Sequence, residues 1–140
     1  MNVWLCPVRP RSWRIIKKNK IFGAPKNAST IFSKVQIGDL LVIHVLRPIN
    51  GIVAICRIVS EIFESDEDLW GQNRYPLRVR LEIISKYLRT EANSIPLSSL
   101  FGKIGNPEIE IHPYMGHTFI TKITVDQYER LVKSFDTILK

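Results

Sequence analysis

Phe22, Gly23, Pro25 and Lys26, inside the run Ile21 to Lys26, are the residues whose types and spacing point most directly to a ligand. Phe22 can offer a ring face to a flat molecule beside the charge of Lys26. Gly23 permits close backbone approach, and Pro25 stiffens the turn. The segment reads as a candidate ligand-binding loop after a short helix, with an ordinary connection carrying one buried aromatic as the plain alternative. Trp4, Trp70 and Tyr114 lie near strand ends or loops, where they could line a concave pocket. Flat bases are held by stacking and by hydrogen bonds to their edges, while Lys and Arg hold phosphates without reading sequence. His44 interrupts an apolar strand and needs a partner if buried, as a satisfied core histidine or as pocket lining.

Catalytic chemistry is poorly represented. The glycines are scattered, so there is no Gly-rich phosphate-cradling loop, and no serine sits in a nucleophile-elbow pattern. Glu110, His112 and His117 could meet on one loop, but structural zinc sites usually add cysteines and a tighter, repeated spacing. Cys6 or Cys56 could pair with His44 as nucleophile and base. Neither constellation is adopted, so no catalytic residue, metal or cofactor is expected, and a small enzyme or nucleotide-metabolite binder stands as an alternative.

The charge is more telling. Twenty Lys and Arg against thirteen Asp and Glu give +7, with a pI near 9.7, which favours polyanions. The first 26 residues hold Arg9, Arg11, Arg14, Lys17, Lys18, Lys20 and Lys26 and no acid, the expected phosphate footprint. No apolar run approaches the roughly 18 residues of a membrane span. Cys6 and Cys56 read as free, buried thiols. The 140 residues suit one domain over 1–140, expected to be cytoplasmic and monomeric.

These residues need positioning elements. Val3 to Val8 reads as a strand. Ser12 caps a helix from about Trp13 to Asn19, with Trp13 and Ile16 inward and Lys17 and Lys18 in water. After the Ile21 to Lys26 loop, Ser29 or Thr30 could cap a helical turn through Phe32 and Val35, and Gly38-Asp39 marks a turn. Leu40 to Leu46 reads as a central strand, Arg47 to Gly51 as a hairpin loop, and Ile52 to about Phe63 as one long bent strand. Tyr75 to Ile84 alternates, with Leu77, Val79, Leu81 and Ile83 buried and Arg78, Arg80 and Glu82 wet. Ile95 to Leu100 reads as a turn or helical segment, Gly102 to Pro107 as loop, Glu108 to His112 as a strand fragment and Thr118 to Ile123 as the last strand. The closing helix has Thr124 and Gln127 as a capping box and Ile123 with Tyr128 as a hydrophobic staple. The class is α+β, a small curved mixed sheet or partly closed barrel with peripheral helices.

The order of these pieces resembles an EVE domain, a member of the PUA-like superfamily related to the YTH readers of methylated adenine. The resemblance spans nearly the whole chain. It rests on Val3-Trp4-Leu5, the helix Ser12 to Lys18, Ile21-Phe22-Gly23-Ala24-Pro25-Lys26, Val35 to His44, Gly51 to Ile55 with Val59-Ser60-Glu61, and Tyr75 to Val79. Met115-Gly116-His117-Thr118 and the Asp126 to Val132 helix complete it. It implies a PUA-like pseudo-barrel that binds a nucleobase, often modified, in DNA or RNA, without chemistry. The pocket would comprise Trp4, Phe22, Gly23, Ala24, Pro25, Asn27 and His44, with Tyr114 and His117 at its rim and the basic helix on phosphates. Many members have Trp at Phe22, and an aromatic followed by a small hydroxyl residue at His44-Val45. Those departures imply a changed or lost ligand, and general RNA binding without a base pocket is the alternative.

Overall fold

The computed structural model describes residues 1–71, 75–84, 94–96 and 120–138. In chain order they form β1 (Val3–Val8), α1 (Pro10–Asn19), β2 (Ile21–Ala24), a 3-10 turn (Lys26–Ala28), α2 (Ser29–Phe32), β3 (Leu40–Val45), β4 (Gly51–Ile58), β5 (Phe63–Glu64), β6 (Leu77–Ile83), β7 (Ile95–Pro96), β8 (Thr121–Ile123) and α3 (Val125–Ile138). The sheet order is β2-β6-β4-β3-β1-β8, with β5 also on β6 and β7 also on β4. β1 and β3 run parallel, joined by the crossover that carries α1, β2 and α2, and the other pairs are antiparallel. The result is the expected α+β class, a mixed sheet curved into a half-barrel.

Strand alternation divides the apolar residues between the two faces. Trp4, Cys6, Leu41, Ile43, Val45, Phe22, Val79 and Leu81 share one core with Trp13 and Ile16 of α1. Val3, Leu5, Leu40, Val42, Ile52 and Ile55 share the other with Ile123 and Leu131. Between Ile43 and His44 the β3/β4 register slips, leaving Val53 as the extra residue of a bulge. The start of the parallel pair is locked by Asp39, which is 3% exposed. Its Oδ1 accepts from the Asn2 amide at 3.0 Å, and its Oδ2 accepts from Trp4 Nε1 at 3.1 Å and the Gln36 amide at 3.0 Å.

Several elements differ from expectation for local reasons. α1 begins at Pro10, behind an extended Arg9 that makes no side-chain cap, and not with a Ser12 cap at Trp13. Proline is preorganised for a first helical position. Ile21–Ala24 is strand and not loop, because its backbone pairs with Leu77 to Arg80 of β6. The turn after it starts at Lys26, no side chain of Ser29 or Thr30 caps it, and α2 stops at Phe32. The long strand expected to Phe63 is two: β4 ends at Ile58, where Ser60 Oγ accepts from the Arg80 amide at 2.8 Å and bends the chain, and β5 follows. Ile95–Pro96 is a strand on β4, opposite Gly51 and Ile52. The last strand starts at Thr121. The α3 capping box is present, with the Thr124 amide on Gln127 Oε1 at 2.8 Å and the Gln127 amide on Thr124 Oγ1 at 3.1 Å. The readings at 97–119, including Glu110, His112, Tyr114 and His117, lie outside the described residues.

Arg78 is the largest departure. Alternation predicts a wet side chain, yet it is 1% exposed. The loop after β5 folds over it: Nε donates to the Tyr75 carbonyl at 3.0 Å, Nη1 to Ser65 Oγ at 3.1 Å, and Nη2 to the Glu67 carbonyl. Trp70 covers it, the guanidinium carbon lying 5.2 Å from the ring centroid.

Candidate nucleic-acid interface

α1 sorts its residues by face. Trp13 and Ile16 are buried at 2% and 3% exposure, burial that stabilises by about 2 kcal/mol for each large apolar side chain. That anchoring leaves Arg9, Arg11, Arg14, Lys17 and Lys18 exposed, and Lys20 and Lys26 beyond the helix are exposed as well. Lys20 takes a left-handed backbone at φ 56 to end the helix, and its Nζ donates to the Lys17 carbonyl at 2.5 Å. The rest of the chain balances thirteen cations against thirteen acids, so the whole net charge of +7 belongs to this segment. A field of one sign on one helix attracts polyanions before contact and neutralises phosphates on contact.

The expected pocket residues separate into groups. Phe22 and Ala24 point into the core at 2% and 0% exposure, and Phe22 packs on Phe32 at 6.2 Å between centroids. Trp4 joins that core at 4% exposure, its indole N–H held by Asp39. Gly23 points the other way. A Cβ there would come within 2.7 Å of Tyr75 Cβ and 2.9 Å of Trp70 Cη2, so only glycine lets the Trp70 ring lie on the strand. Tyr75 meets Trp70 edge to face at 5.3 Å. Pro25 is half-buried, and Asn27 is exposed beside Lys26.

His44 lies on the other sheet face, since its neighbours Ile43 and Val45 both enter the core that holds Phe22 and Trp4. It is 2% exposed. Its Nε2 lies 3.0 Å from Asn50 Oδ1. A carbonyl oxygen only accepts, so Nε2 carries the proton and Nδ1 is a bare acceptor with no partner among the described residues. Burial lowers the His44 pKa from its ordinary 6.5, with the Asn50 bond opposing. The structure therefore does not bring His44 together with Phe22 and Trp4.

Cysteine chemistry finds no support in this geometry. Cys6 and Cys56 are fully buried. Burial raises the Cys6 thiol well above its ordinary value, with Cys56 adding to the effect, and burial pushes Cys56 up to about 12 against a smaller opposing pull from Lys20. The nucleophilic form of cysteine is the thiolate, which burial suppresses. Cys6 Sγ instead contacts the Trp4 carbonyl at 3.7 Å. Among the described residues no group of three or more His, Cys, Asp and Glu could hold a metal.

A sequence profile of the EVE domain matches residues 2–131. The chain belongs to the EVE domain family. The UPF0310 protein PH1033 of Pyrococcus horikoshii is 29% identical over 97 residues, covering 60% of this chain and 67% of that protein. In solved structures, this EVE domain is similar to a YTH domain-containing protein mmi1 in complex with RNA, with TM-score 0.67, 13% identity, and coverage of 99% of this chain and 83% of that one. It is similar as well to the Pho92 YTH domain in complex with m6A, with TM-score 0.69, 13% identity, and coverage of 96% and 82%. At those identities the likeness establishes a shared fold.

Sequence reading leaves Tyr75 and Arg78 out of the site and offers Trp70 only as an aromatic that could line a pocket. Trp70 was visible as an aromatic near a loop. Its seat on Gly23 was not, because it depends on the β2/β6 register, which places Gly23 opposite Arg78.

Proposed function

We propose that this EVE domain is a non-enzymatic nucleic-acid-binding module that reads a base, modified in its preferred target, beside a phosphate-binding helix. The observation that carries the reading is the confinement of all net charge to α1 and its flanks, with Trp13 and Ile16 holding the basic face outward. Arg9, Arg11, Arg14, Lys17, Lys18, Lys20 and Lys26 meet phosphates. The half-buried Pro25 and the exposed Lys26 and Asn27 meet the base, backed by Phe22 and Trp4. The fold it shares with YTH domains solved with RNA and with m6A supports this reading.

Binding of labelled oligonucleotides by Lys17→Ala and Lys18→Ala at several salt concentrations tests the phosphate half. Each variant should weaken all sequences alike and lower the salt slope by about one. The exposed Asn27→Ala should instead narrow the difference between modified and unmodified bases. An unchanged salt slope in both lysine variants would remove α1 from the interface.

General RNA binding without a base pocket has one observation in its favour: Trp4 and Phe22 are enclosed, at 4% and 2% exposure. That reading expects strong salt dependence and no discrimination between bases in the same titrations.

A further inference from the structure

Two arginines share one face of β6 and are treated oppositely. Arg78 is buried, and its donors serve Tyr75, Ser65 and Glu67. Arg80, two residues and about 6.6 Å further along the strand, is exposed. Its backbone amide is held by Ser60 Oγ, while no described residue accepts a hydrogen bond from its guanidinium. The guanidinium carbon lies 5.2 Å from the centroid of Phe63, itself half-buried on β5. The ring thus holds a planar cation in place, with its guanidinium donors unused by the described residues.

The register says what that cation adjoins. Arg80 stands directly opposite Ile21, and the Leu81 amide donates to the Lys20 carbonyl at 2.8 Å. Arg80 therefore lies, in backbone register, beside the chain that leaves α1 at Lys20, with its side chain on the sheet face opposite the core that α1 packs against. Glu82, two residues along the same face of β6, stands opposite Arg57 in the β4/β6 register. Glu61 and Glu64 are exposed on the chain that flanks this platform.

Resting on the nucleic-acid reading above, we propose that the Arg80–Phe63 pair is a second nucleotide subsite and that the partner is single-stranded. An arginine plane backed by an aromatic ring suits stacking of an unpaired base. A duplex keeps its base faces inside the helix, so it can offer this platform only phosphates.

Arg80→Lys keeps the charge and removes the plane, and Phe63→Leu keeps apolar bulk and removes the ring. Both are tested against short single-stranded RNA and DNA and the matching duplex, across a salt series, with far-ultraviolet circular dichroism to verify folding. Each variant should lose roughly five- to tenfold in single-strand affinity, with the salt slope and the duplex affinity unchanged. Wild-type affinity in Arg80→Lys, with a reduced slope in Arg80→Ala, would overturn the subsite and leave a simple phosphate contact. Single-strand binding unaffected by any of these variants would overturn it while the nucleic-acid reading stands. Failure of the wild-type protein to bind any oligonucleotide would overturn both.

Discussion

At His44, folding and proton binding are coupled by position alone. The ring is buried, one nitrogen is committed to Asn50 and the other has no partner among the described residues. Burial lowers its folded-state pKa, so the unfolded chain takes up the proton first as pH falls. The neutral ring's contribution is fully present above about pH 6.5 and is lost as pH falls below it. Urea unfolding of the wild type and His44→Gln at a series of pH values should show a smaller loss of stability on acidification in the variant. Asp39 is the opposite case, a buried carboxylate with every near donor aimed at it. Asp39→Asn replaces one acceptor oxygen with an amide that faces N–H groups, and should cost about 2–3 kcal/mol in denaturant midpoint experiments. A need for a partner at His44 was legible in sequence, since a lone histidine in an apolar strand must be satisfied. The side it faces was not, because alternation fixes direction only relative to neighbours whose own face is known.

At the scale of elements, β2 and the loop after β5 form one unit. Gly23 makes room for Trp70, Trp70 covers Arg78, and Arg78 ties the loop down through the Ser65 side chain and the Glu67 carbonyl. Arg78→Lys retains a charge without the fork of donors and leaves loop carbonyls unpaired, so it should destabilise by on the order of 3 kcal/mol. Loss of tryptophan fluorescence anisotropy would accompany it. Gly23→Ala forces Trp70 or Tyr75 to shift and should cost about 1–3 kcal/mol, with near-ultraviolet circular dichroism reporting the displaced ring. The inward face of β6 and the box at the start of α3 were readable from residues a few positions apart. Burial of Arg78, the strand nature of Ile21–Ala24 and the split of the long strand were not, because each depends on a partner more than ten residues away.

For the whole molecule, the distribution of charge matters more than its total. A chain that carries its entire +7 on the first 26 residues has an oriented field, and that asymmetry was visible in sequence before any fold. The family followed from the order of modest motifs, and the match over residues 2–131 bears it out. Which of those motifs would meet a ligand was less legible, since Trp4, Phe22 and His44 lie near one another in the list of motifs but on opposite faces of one sheet. The measurement that tests the central claim most directly is binding of matched single-stranded RNA and DNA, with and without base methylation, at two salt concentrations. The account predicts salt-weakened binding with a difference of at least about 1.4 kcal/mol, tenfold, between one modified strand and its unmodified match. No binding of any strand at the lower salt would contradict it.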